Sequence, residues 1–178
     1  MTLSKSYASS HHIASTLAVE ELWALLRQGF EDSERSELWP RELEQVSSPS
    51  LGEGEQIRAR YKVLGPVGAT QTYLVSSFEP PRSLAYQTGR GHPLQGGGSV
   101  EVRSRPGGGS ELLWSFEYRV PPRARSWLGY LYVRHLFEPK FFAALEANLR
   151  AVEAKRPRQA SSARARGQSR HGAARLAS

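Results

Sequence analysis

His135 and Glu138 stand three residues apart in a stretch of helical periodicity, so an α-helix turns both onto one face, close to the line of Leu131 and Phe142. A histidine beside a carboxylate inside an apolar pocket can take up and release a proton near neutral pH. An ordinary arrangement competes: His135 bonded to a backbone carbonyl, and Glu138 turned outward beside Pro139. His11 shares the parity of Ile13 in a β-like run, which sets it at the edge of a pocket and turns His12 outward. The competing reading there is an edge-strand histidine in solvent. His92 lies in the glycine-rich stretch 89–99, which reads as a mobile connection near a pocket mouth.

Other chemistries find no support. The five histidines show neither H-x-H nor H-E-x-x-H spacing, so no metal site is expected. There is no cysteine, which excludes disulfides, thiolate catalysis and cysteine-ligated metals. The run Gly96–Gly98 reads as a turn, because no phosphate-cradling glycine pattern and no G-x-S-x-G elbow surrounds it. No cofactor is expected.

The elements that must position these residues follow from periodicity. Tyr7–Ala14 reads as a first strand, and Ser15 and Thr16 supply N-cap oxygens for a helix carrying Val19, Leu22, Trp23, Leu26 and Phe30. The stretch EDSERSELWPREL reads as a broken second helix anchored by Trp39. The period then switches to two. Ile57, Ala59, Tyr61 and Val63 share one face of a strand, and Trp114, Phe116, Tyr118 and Val120 share one face of another. Val100 and Val102 turn inward between them, with Glu117 and Arg103 able to pair across neighbouring strands. Residues 106–110 form a hairpin turn. A last helix, about 126–154, contains Pro139 and is expected to kink there.

Seven of the 24 basic residues lie at 155–178, where there is no acid, so residues 1–154 balance 17 basic against 17 acidic residues. The net charge of +7 therefore belongs to the last segment. That segment holds one leucine and is expected to be a basic, disordered tail. It offers a weak contact to an anionic surface, but no aromatic interleaves its arginines, so no specific nucleic-acid binding is expected. The first residues lack the apolar core of a signal peptide, and the longest apolar stretch, 127–137, is too short to span a bilayer. The expectation is a soluble cytoplasmic protein.

Five stretches resemble the polyketide cyclase/dehydrase branch of the START-like (SRPBCC) superfamily: IASTLAVEELWALL, LEQVSSPSLGEGEQIRARYKV, YLVSSFEPPRSLAYQT, ELLWSFEYRV and FFAALEANLRAVEA. The clearest phrase is Phe78-Glu79-Pro80-Pro81-Arg82 followed by Leu84 and Tyr86, then Gly52-Glu53-Gly54 and Leu145-Glu146-Ala147-Asn148-Leu149. The resemblance covers 7–154. It implies an α+β helix-grip fold: a curved seven-stranded antiparallel sheet around a long kinked C-terminal helix, with two short helices after strand 1. It also implies a deep apolar cavity. The superfamily has no universal catalytic motif, so no residue inherits a chemical role.

Alternation nominates the wall of that cavity as Tyr61, Val63, Tyr73, Val75, Tyr86, Val102, Trp114, Phe116 and Tyr118 from strands, with Leu131, His135 and Phe142 from the last helix. Any one of them could simply fill a dry core. So many rings on a curved sheet are hard to pack without a gap. The expected function is binding of a hydrophobic polyketide-, lipid- or isoprenoid-like molecule, with cyclase or dehydratase chemistry in view. The alternative is a noncatalytic lipid or quinone carrier that contacts membranes.

Overall fold

A computed structural model describes the backbone of residues 5–64 and 67–173, and the side chains of 5–61 and 69–156. Seven antiparallel strands form one sheet: β1 (Lys5–Ser15), β2 (Glu44–Ser47), β3 (Gln56–Leu64), β4 (Val67–Glu79), β5 (Ser83–Thr88), β6 (Gln95–Ser104) and β7 (Ser110–Val120). Their order is β1-β7-β6-β5-β4-β3-β2. Strands β2 to β7 form a meander, and β1 closes it by pairing with β7 from Lys5↔Val120 to Ser15↔Ser110. The helices are α1 (Val19–Glu31), α2 (Ala124–Tyr132) and α3 (Glu138–Ala173). This is the helix-grip fold.

The strands form where polar and apolar residues alternate. β7 buries Leu112, Trp114, Phe116, Tyr118 and Val120 and leaves Glu117 and Arg119 exposed. On the buried side, α1 brings Leu22, Trp23, Leu26 and Phe30, and α3 brings Phe141, Leu145 and Leu149. Two polar clamps fix α3. Glu153 accepts hydrogen bonds from the Ser15 hydroxyl and the Thr16 N–H, both at 2.7 Å. Asn148 Nδ2 donates to the Leu38 carbonyl at 3.1 Å.

Several sequence expectations need correction. Where a second short helix was expected, residues 32–43 make turns, because Trp39 and Leu38 plug the core and Pro40 cannot continue a helix. The N-cap of α1 is Ala18 rather than Ser15 or Thr16, and Glu21 folds back to accept the Ala18 N–H at 3.1 Å. Gly96–Gly98 is not a turn but the start of β6. Glu117 lies opposite Gly97, and Arg103 lies opposite Glu111 and binds Glu101 on its own strand, so Glu117 and Arg103 do not pair.

The helical layer departs from the expected single kinked rod. A π-turn, Val133–Phe137, joins α2 to α3, and the Glu138 N–H bonds five residues back to the Val133 carbonyl. Pro139, one residue on, has no N–H to give, so the widened turn sits where the ladder would lack a donor. The backbone of α3 continues past Ala154 to Ala173. Within the segment read as a tail, Lys155 and Arg156 form ion pairs with Glu37 and Glu21. The side chains of 157–178 lie outside the described ones.

Candidate functional site

The inward face of the sheet and the α2–α3 layer enclose a cavity of about 260 Å³. Its wall is aromatic. Trp114 sits among Phe30, Trp39, Phe141 and Phe142, with ring centroids 5.6–5.8 Å away. These tilted and edge-on contacts suit ring quadrupoles and hold the indole in place. Leu128 lines the cavity and is 68% exposed, so the space reaches solvent beside α2. The loop between β5 and β6 forms the other side of this opening, where Pro93 packs on Gly129.

Gly98 shapes the wall. It lies between Tyr86 on β5 and Phe116 on β7. A Cβ there would come within 2.6 Å of the Tyr86 hydroxyl and 2.8 Å of the ring carbon bearing it. The bare glycine lets the Tyr86 phenol lie across β6 and accept the Trp114 indole N–H at 2.9 Å. Gly98→Ala is expected to displace Tyr86 and destabilise the fold by about 2 kcal/mol. Denaturant unfolding measures it, and an unchanged midpoint would show that the phenol has another resting place.

Two polar groups break the apolar wall. In the first, the Tyr61 and Tyr73 hydroxyls are 2.5 Å apart, and Tyr73 lies 3.2 Å from His92 Nε2. His92 Nδ1 is 2.8 Å from the Leu94 carbonyl. With its proton on Nδ1 donated there, Nε2 accepts from Tyr73; with its proton on Nε2, Nδ1 instead accepts the Leu94 N–H at 3.1 Å. Burial lowers the His92 pKa and keeps the ring neutral. At the other end, Glu44 faces Tyr61 across the β2–β3 register. Burial pushes its carboxyl up to about 7, partly offset by the nearby polar side chains of Tyr61 and Trp39. Burial also raises both tyrosines, so they stay protonated. The Tyr61–Tyr73–His92 row thus runs from beside a carboxyl poised near neutrality to a neutral imidazole, suited to moving a proton along the wall.

The second group centres on Glu138, at the C-terminal end of the π-turn. Its Oε2 accepts the Tyr7 hydroxyl at 2.6 Å and lies 3.4 Å from His11 Nε2. His11 stacks on Phe142 at 3.7 Å. Burial, then the bond to Glu138, raises the Tyr7 pKa. Among the described residues, no three histidine, aspartate or glutamate side chains cluster closely enough to hold a metal ion.

A family model described as polyketide cyclase/dehydrase and lipid transport matches residues 6–155. The chain belongs to this family. Among curated proteins no sequence matches. Solved structures resemble the fold of this polyketide cyclase/dehydrase family member at low identity. An aromatase/cyclase from a Streptomyces species superposes with a TM-score of 0.61 at 16% identity, over 83% of this chain and 96% of that one. A norcoclaurine synthase from Thalictrum flavum gives 0.60 at 14%, over 88% and 99%. A Staphylococcus aureus protein of unknown function gives 0.61 at 12%, over 85% and 98%.

In this family member, six of the residues nominated from sequence share the cavity wall: Tyr61, Tyr73, Tyr86, Trp114, Phe116 and Tyr118. Val75, Val102 and Phe142 are buried in the core but do not line the cavity. Val63 lies in β3, with its side chain outside the described ones. Leu131 is 47% exposed and His135 is exposed, so neither lies on the wall, and the expected His135–Glu138 pair does not form. The reason is the π-turn. One extra residue per turn rotates later side chains by about 100° relative to earlier ones, so Glu138 turns inward while His135 turns out. Glu44, Tyr7, Phe30 and Trp39 were not nominated. Glu44 shares strand parity with buried Val46, and that signal would have found it.

Proposed function

We propose that the protein binds a hydrophobic small molecule, polyketide-, lipid- or isoprenoid-like, in the aromatic cavity. We propose further that the Glu44–Tyr61–Tyr73–His92 row serves cyclisation or dehydration of a polyketide-like ligand held there. One observation carries this reading: an apolar cavity that reaches solvent, with Glu44 and the hydrogen-bonded Tyr61–Tyr73–His92 row on its wall. Dehydration needs a proton delivered to a leaving hydroxyl and another removed from carbon. A neutral Glu44 is suited to the first task and a neutral His92 to the second. The family's description and the aromatase/cyclase among the fold's relatives agree with this choice.

Native mass spectrometry of protein purified from its own host is expected to detect a bound organic molecule, and adding it to stripped protein should quench the emission of Trp39 and Trp114. Tyr73→Phe should retain binding and lower any turnover at least tenfold. Protein that purifies empty, and whose emission no polyketide-, lipid- or isoprenoid-like probe alters, would overturn the binding reading.

A carrier reading is favoured by a separate observation. Trp127, Leu128, Leu131 and Leu136 are exposed within ten residues of α2 and the π-turn, beside the cavity opening. Exposed Arg123, Arg125 and Arg134 surround them, and the one acid of this stretch, Glu138, is buried. Such a face suits an anionic membrane surface. Among the described residues no helix is long and apolar enough to cross a membrane. Flotation with phosphatidylglycerol-containing vesicles should carry the protein upward. The double substitution Leu131→Asp, Leu136→Asp should abolish this, whereas deleting 155–178 reports any share of the basic tail. Flotation unaffected by the double substitution would remove this face from the reading.

A further inference from the structure

Half of the Glu138 carboxylate is in use. Oε2 receives the Tyr7 hydroxyl and faces His11 Nε2, while Oε1 is buried with no hydrogen-bond partner among the described residues. The Glu138 side chain is only 4% exposed and belongs to the cavity wall. Neither neighbour is placed to swing across to the unused oxygen. Tyr7 is held edge-on against Tyr130, and the His11 ring is stacked on Phe142. A buried carboxylate oxygen left without a donor is costly, so a donor supplied from the cavity restores what the fold leaves unmade. The guanidinium of Arg134 lies over the Tyr7 ring at 4.9 Å, so a cationic group already stands on the outer side. The missing partner is therefore a neutral donor.

We propose that Glu138 Oε1 accepts a hydrogen bond from a hydroxyl of the bound ligand, so that the cavity selects phenolic or alcoholic apolar molecules over equally large molecules without the hydroxyl. This deepens the binding reading above and rests on it. The Glu44 row is not involved. Glu138 recognises where the ligand's hydroxyl lies and fixes which end of a hydrophobic molecule points to β1.

The test uses the full chain with 1-naphthol and 1-methylnaphthalene, two probes of similar shape that differ in the hydroxyl. Removing a hydroxyl from water is itself costly, so without a waiting acceptor the naphthol should bind the more weakly. The wild-type protein is expected to bind 1-naphthol at least tenfold more tightly. Glu138→Gln turns an amide toward the ligand once its oxygen takes the Tyr7 hydroxyl, and should lose this preference while holding 1-methylnaphthalene as before. Equal affinity of the wild type for both probes, with both bound, overturns the Glu138 role and leaves the cavity reading standing. Failure to bind either probe overturns the cavity reading and this one with it. A preference that survives in a folded Glu138→Gln protein assigns the hydroxyl to another group and also overturns the proposal.

Discussion

Replacing Glu44 with glutamine is expected to stabilise the protein by on the order of 3 kcal/mol at pH 8 and to change little at pH 4. Burial raises the folded-state pKa of this carboxyl to about 7 from an ordinary 4.5. Below the ordinary value both folded and unfolded chains hold the proton. Between the two values the fold retains it while the unfolded chain releases it, so stability falls as pH rises. Above about 7 the folded chain carries a buried charge and the loss is complete. Glutamine has no proton to release, so the variant should lack this slope. Chemical denaturation across pH 4 to 8 measures both proteins. Parallel pH dependences would mean that Glu44 is solvated or paired in the fold.

Truncating Phe141 to alanine should cost about 4 kcal/mol. The ring is 1% exposed and meets Trp39, Trp114, Phe137 and Phe142 at centroid distances of 5.2–5.6 Å. It joins α3 to the turn segment and to β7 at once. Because Phe141 also lines the cavity, its loss enlarges a space that already exists. Probes too large for the native cavity should then bind the variant and restore part of its stability by mass action. Unfolding midpoints with and without a polycyclic aromatic probe test both halves. A loss below 2 kcal/mol would show that the surrounding rings collapse into the vacated space.

The strands were legible because an alternating pattern survives any twist of the sheet. Each residue's face depends only on parity, and Tyr61, Trp114, Phe116 and Tyr118 duly turn inward. Helical faces were legible within α1, where Leu22, Trp23, Leu26 and Phe30 are buried as their spacing requires, but not across the junction of α2 and α3. A proline marks trouble in a helix but does not say whether the chain bends or inserts a residue. The insertion at Val133–Phe137 decides that Glu138 is buried and His135 is not. Glycine misled for a related reason. Three in succession usually punctuate a loop, whereas Gly98 is needed in a strand because Tyr86 occupies the place of its side chain. The acid–base row was hidden because it joins residues from β2, β3, β4 and the loop before β6. Only the register brings them together.

The pairing of β1 with β7 also orders events in time. Ser10 finds its partner at Ser115, so the first strand leaves the ribosome about ten seconds before its neighbour at ~5–20 residues per second. The meander from β2 to β7 is built from neighbours in sequence and can assemble as it emerges. During that interval β1 has no ladder to join, and α1 holds Leu22, Trp23, Leu26 and Phe30 without the strands and α3 that later cover them. Strand β1 and the inner face of α1 thus wait for partners made more than sixty residues later, and the grip closes only when its last strand has been made.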